Sequence, residues 1–241
     1  VVVAAISSVI IGVLISQAGI ESANEGADLL RRETVDHKQL EIGSYFEVPL
    51  AIMESLRVAS KIPGTFTYTQ QGSFDLWLCS MLKLNADRLT YLGTEHGAYH
   101  GAEIAGDGSG RCYSWYSLPS AGVAGVEGYA TYNYTDNGIP FLTEPWSHMY
   151  NTTYDPRTRP WYNVSKDKLG WSEVYLDWGT ALGAVAALTP GAPMFDTTLQ
   201  RNVGVFATDF TTANLLKFLS RSVIAKTGKM ILVETETRNV I

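Results

Sequence analysis

The first twenty residues, VVVAAISSVIIGVLISQAGI, carry no charged side chain, and their polar members are serines and one glutamine. A helix rising ~1.5 Å per residue over that length matches a hydrocarbon core of ~30 Å. The run therefore predicts a transmembrane helix over residues 1–20. The apolar core of a signal peptide is the competing reading, but such cores run roughly 7–15 residues and end at a small-residue cleavage site. A buried helix of a globular domain would show a polar face, and this run has none.

Beyond Ile20 the texture changes while the helical pattern continues. Leu29, Leu30, Val35, Leu40, Ile42 and Phe46 recur near helical spacing among Ala, Glu and Arg. Pro49 is expected to kink the helix rather than end it, because LAIMESLRVAS resumes the pattern before KIPG stops it. This gives a long stalk helix over 21–62.

Residues 63–222 mix short helical and strand patterns. FDLWLCSMLKLNAD places Phe74, Trp77, Leu78, Met81 and Leu82 on one helix face. LTYLGTEHGAYHGAEIA reads as strand, tight turn and strand, and GDGSGRCYSWYSL and EGYATYNYTDNGIP repeat that texture. SEVYLDWGT, GAVAALTPGAPM and RNVGVFATDF follow as strand candidates. A helix then begins at TTANLLKFLSRSVIA, with Thr211 or Thr212 able to cap it. The expected class is α+β: a long helix, a short helix, antiparallel strands in one sheet, and a closing helix. IAKTGKMILVE looks like the start of another module, so residues 223–241 are expected to begin a truncated second domain.

Composition excludes some functions. A formal charge of -6 with no basic run argues against nucleic acid. Cys79 and Cys112 show no metal-ligand spacing; they could pair in an oxidising compartment or stand as two thiols. His96, His100 and Glu103 invite a metal reading, yet Gly97 and Gly101 break the helix that would align the histidines, so no metal is expected. No nucleophile elbow, HExxH or paired catalytic carboxylates occur, and neither enzyme chemistry nor a cofactor is expected of this segment. Asn133, Asn151 and Asn163 each open an N-x-[ST] triplet and are glycosylation candidates if the domain faces outward in a eukaryote.

The densest chemistry lies in YDPRTRPWY, residues 154–162. Pro160 forces Arg159 into an extended conformation. Arginine offers a planar fork of donors suited to a carboxylate, and the aromatics add flat walls and hydroxyls. Tyr175 and Asp177 share a strand face because they are two apart. Asp209 follows in VFATDF.

Together, the apolar run, the long helix, YDPRTRPWY and NVGVFATDFTTANLLKFL resemble the extracellular double Cache sensor family. The resemblance implies a stalk helix, a membrane-distal PAS-like module and the start of a membrane-proximal one. It implies that Tyr154, Arg159 and Trp161 hold the carboxylate of a free amino acid, while Tyr162, Tyr175, Asp177 and Asp209 surround its ammonium. An amine is the alternative ligand. It further implies a membrane-anchored signalling protein with the module extracellular or periplasmic, and a homodimer through the stalk. The alternative within the same likeness is a non-catalytic accessory module, of the calcium-channel auxiliary-subunit or surface-assembly kind, with a structural or constitutively filled pocket.

Overall fold

The computed structural model describes residues 2–66, 73–84, 89–105, 108–120, 123–152, 154–180, 183–210 and 212–221. Of residues 2–15 and of some strand positions, Asp177 among them, the backbone alone is described. The expected module over 223–241 lies outside the described residues. The described chain divides into two units, one from residues 1–46 and one from 47–221.

The first unit is helical throughout, as the Ala, Leu, Glu and Arg content predicts, and forms part of α1, Val2–Ser60. Leu29, Leu30, Val35 and Leu40 are exposed. Ion pairs one turn apart, Asp28 with Arg31 at 2.7 Å and Lys38 with Glu41 at 2.5 Å, line its surface. The span expected over 1–20 falls mostly on residues whose side chains lie outside the description. Among the described residues no helix is long and apolar enough to cross a membrane.

In the second unit α1 runs on through Pro49. It stops where Lys61 and Ile62 donate back to Val58 and Ala59, and Gly64 takes φ +78°. Then come α2 (Ser73–Leu84), β1 (Thr90–Thr94), β2 (Tyr99–Ile104), β3 (Cys112–Ser120), β4 (Val123–Tyr134) and β5 (Pro140–Thr152). A 3-10 turn (Pro156–Thr158) leads into α3 (Pro160–Ser165). The chain continues through β6 (Gly170–Trp171), β7 (Tyr175–Thr180), β8 (Gly183–Ala187), β9 (Pro190–Asp196), β10 (Arg201–Thr208) and α4 (Thr212–Arg221).

Eight strands form one antiparallel sheet in the order β5-β4-β3-β2-β1-β10-β9-β6. The expectation of one sheet needs correction, because among the described residues β7 and β8 form a separate two-stranded sheet. The separation of β8 from β9 falls at Leu188 and Thr189. Ser172 N–H donates to the Thr189 carbonyl at 2.9 Å, and Thr189 N–H donates to Ser172 Oγ at 3.0 Å. These bonds extend the Trp171↔Pro190 pairing of β6 and β9 toward the base of the β7–β8 hairpin.

Alternation along the central strands feeds two different layers. One face receives Leu92, Ala102, Met194 and Phe206, packed with Met53 and Leu56 of α1 and Phe74, Leu78 and Leu82 of α2. Cys79 and Cys112 are disulfide-bonded, which joins α2 to β3. The same layer buries a polar group: Asp75 of α2 binds His100 Nε2 and accepts from Ser114 Oγ at 2.7 Å and Tyr132 OH at 3.0 Å. Burial alone would raise the Asp75 pKa, but the hydrogen bonds from His100, Ser114 and Tyr132 outweigh it and hold the carboxyl below its ordinary value. His100 is thus committed to α2, and among the described residues no cluster of His, Cys, Asp and Glu could hold a metal ion.

Candidate ligand site on the opposite sheet face

The other face of β2, β1 and β10 carries Tyr99, Tyr91, Val205 and Ala207, with Trp161 and Tyr162 laid over them. Two glycines allow the overlying segment to come so close. A Cβ on Gly93 would lie 2.7 Å from both Pro156 Cβ and Trp161 Cη2, and one on Gly191 would lie 2.7 Å from Ser165 Oγ. Pro156–Thr158 and α3 therefore rest directly on bare backbone.

The segment preceding α3 is shaped as its sequence predicts. Asp155 caps the 3-10 turn by accepting from Arg157 N–H at 2.9 Å. Its carboxylate also pairs with the exposed Arg157 guanidinium at 2.7 Å, whose hydrogen bond keeps the Asp155 pKa low. Arg159, before Pro160, sits at φ −87°, ψ 146°, the extended conformation that the proline dictates. That geometry swings the Arg159 side chain away from the helix. Its guanidinium carbon lies 5.3 Å from the Tyr154 ring centre and 6.0 Å from that of Tyr175.

From there an aromatic wall crosses the sheet. Tyr154 meets Tyr99 at 5.0 Å between centroids, Tyr99 meets Tyr91 at 5.4 Å, and Tyr91 meets Trp161 at 4.9 Å. At the far side the Tyr91 hydroxyl donates to Asp209 Oδ1 at 2.6 Å. Asp209 is held where β10 ends, its N–H bonded to the Leu89 carbonyl at 2.9 Å. Burial first, and then the nearby Asp209 carboxylate, push the Tyr91 pKa far above its usual value, so this hydroxyl stays a donor. The Tyr175 hydroxyl is 2.8 Å from Thr189 Oγ1.

The sequence-selected residues divide in two. Tyr154, Arg159, Tyr175 and Asp209 are half-buried and linked through Tyr91 and Tyr99. Trp161 and Tyr162 are buried, at 1% and 8% exposure, and pack the α3 segment onto the sheet. Asp177 pairs with Val185 in the β7–β8 ladder, and its side chain lies outside the description. Tyr91, Tyr99 and Thr189 were not selected from sequence. The alternation in LTYLG and YHGAE carried the signal for the two tyrosines, but nothing local shows which face meets α3.

Of the glycosylation candidates, Asn163 is exposed on α3 and donates to the carbonyls of Arg157 and Arg159 at 3.3 and 3.2 Å. Asn133 is half-buried opposite Phe141, and the Asn151 side chain lies outside the description.

No family model matches the chain, and no curated protein does either. Solved structures do. The ligand-binding domain of the Campylobacter jejuni chemoreceptor Tlp3, in complex with 4-methylisoleucine, aligns with a TM-score of 0.52 at 13% identity, over 88% of this chain and 65% of that one. The ligand-binding domain of the Pseudomonas aeruginosa PAO1 amino acid chemoreceptor PctB, in complex with L-Gln, aligns at 0.47 and 17% identity, over 83% and 60%. The first of these carries the comparison. It shows that the chain has the fold of a Cache-type chemoreceptor ligand-binding domain, and that it spans 65% of that neighbour's length.

Proposed function

We propose that this chain is the ligand-binding domain of an outward-facing sensor and that it holds a free α-amino acid on the tyrosine-lined sheet face. The observation that carries the reading is a polarity. A guanidinium stands over two tyrosine rings at one end of a continuous aromatic wall, and a carboxylate anchored by a tyrosine hydroxyl stands at the other. A zwitterion matches that order, its carboxylate on Arg159 and its ammonium on Asp209, with Tyr154 and Tyr175 as walls. On this reading Asp177, two residues beyond Tyr175 in the sequence, would supply a second acceptor for the ammonium. The disulfide suits an extracellular or periplasmic setting.

Isothermal titration of the full chain against the twenty L-amino acids tests this. Binding by one or several is expected. Arg159→Ala and Asp209→Ala should each weaken it by about thirtyfold or more, since truncating one partner of a buried charge pair costs ~2 kcal/mol upward. Absence of binding by any amino acid, or binding indifferent to both substitutions in folded protein, would overturn the proposal.

A further inference from the structure

Asp209 is not the only carboxyl on this face. Where β10 ends, Asp209 lies beside Leu89, one residue beyond the Thr90↔Thr208 pair. On the other side of β1, Thr90 pairs with Ala102, so Leu89 stands level with Glu103. The ladder continues from Glu103 to Tyr113 of β3. Asp209 and Glu103 therefore occupy one row across the sheet, two strand spacings or ~9–10 Å apart at the backbone.

They also share a face. Tyr99, Gly101 and Glu103 alternate with His100, Ala102 and Ile104, and the latter set packs toward α2. On this face the one residue between Tyr99 and Glu103 is Gly101, which carries no side chain. A Cβ on Gly101 would meet the Tyr99 hydroxyl at 2.9 Å, so the Tyr99 ring leans along β2 over this gap toward Glu103. Tyr99 also meets the Tyr154 ring at the other end of the wall, and Glu103 is half-buried.

Among the described residues, no hydrogen bond or ion pair reaches the Glu103 carboxyl. The Arg111 guanidinium stacks 5.8 Å over the Tyr113 ring and donates to Ser109 Oγ at 3.1 Å. Glu144, further along the row, accepts from Thr131 Oγ1 at 3.1 Å. Asp209 takes the Tyr91 hydroxyl. Burial pushes the Glu103 pKa up to about 7. A carboxyl in that setting gains most from a cation brought by a ligand.

Resting on the amino-acid reading above, we propose that Glu103 forms the side-chain subsite of this pocket and selects amino acids that carry a second cationic group. The α-ammonium would sit at Asp209, and a basic side chain would run past Leu89 along the row to Glu103, beside the Tyr99 ring that covers Gly101. A ligand ammonium there favours the ionised carboxyl, so binding near neutral pH expels a proton from Glu103 into solvent.

Titration of the full chain with L-lysine, L-arginine and the uncharged isostere L-norleucine separates the two readings. The basic ligands should bind at least tenfold tighter than norleucine. Repeating the lysine titration at pH 7 in two buffers of different ionisation enthalpy should show proton release with lysine and none with norleucine. Glu103→Gln should erase the lysine preference and the proton release, while leaving norleucine affinity within twofold. Norleucine binding equal to lysine, or a lysine preference that survives Glu103→Gln, overturns the subsite and leaves the amino-acid reading standing. Failure of all three ligands, with all other amino acids equally inert, overturns both.

Discussion

Gly93→Ala puts one methyl group where the overlying segment touches the sheet. In an ordinary strand the change is favourable, because glycine in a strand interior costs roughly 0.5–1 kcal/mol relative to alanine. Here the new Cβ would stand 2.7 Å from Pro156 Cβ, 2.7 Å from Trp161 Cη2 and 3.2 Å from Tyr162 Cδ2. Ordinary contact begins near 3.4 Å, so the neighbours must retreat by more than half an ångström. Trp161 is 1% exposed and pressed edge-on against Tyr91, so it has little room to move. Overpacking of this kind costs ~1–3 kcal/mol. Set against the propensity gain, the net is a destabilisation of about 0–2.5 kcal/mol, read as a lower urea midpoint with an unchanged m-value. The same displacement lifts Pro156 and α3, which flank Arg159, so amino-acid affinity should fall by more than stability alone explains. Gly101→Ala is the control: its closest neighbour is the tip of the Tyr99 side chain, which can swing aside, and stability should change less. A Gly93→Ala protein with wild-type midpoint and affinity would refute the close-packing account of how the arginine is positioned.

Other perturbations give distinct signatures. Asp75→Ala removes the acceptor of three buried side chains and should cost ~3–5 kcal/mol by chemical denaturation. Because the folded Asp75 pKa is depressed, its contribution is complete above the unfolded carboxylate range and fades as pH falls through the folded value; wild type, but not Asp75→Ala, should show that acid-side loss. Tyr91→Phe leaves the ring packing and removes the donor to Asp209, so amino-acid binding should change several-fold while the wall stays folded, checked by titration alongside a melt. Glu103 runs the other way: its folded pKa is raised to about 7, so stability should decline as pH rises from the usual carboxylate range through about 7, a slope that Glu103→Gln should abolish.

Local chemistry made much of this legible beforehand. Pro160 set the backbone of Arg159, Asp155 announced a turn, and glycines at 93, 97 and 101 marked the β1–β2 hairpin. The amphipathic pattern of FDLWLCSMLKL placed α2. What stayed hidden was long-range. Tyr91 meets Asp209 across 118 positions, and His100 meets Asp75 across 25, on strands whose buried faces are apolar or aromatic on both sides. Such strands lose the polar alternation that identifies a face. For the same reason the cysteine pairing stayed open until β3 was placed under α2. The separation of β8 from β9 falls at Leu188 and Thr189, where Thr189 bonds to Ser172, a pair no periodicity reports.

The alternation of β2 has a consequence for how such a domain can diverge. Its odd-numbered residues, 99 to 103, face the tyrosine wall, and its even-numbered ones, 100 to 104, serve the layer stapled to α2. Inserting or deleting one residue within β2 would exchange the two sets, burying Tyr99 beneath α2 and turning His100 outward. Changes of length are thereby closed to evolution at this strand, whereas substitutions at alternate letters are open. If Glu103 lines the proposed subsite, ligand preference is rewritten at that letter while its neighbours hold the fold unchanged.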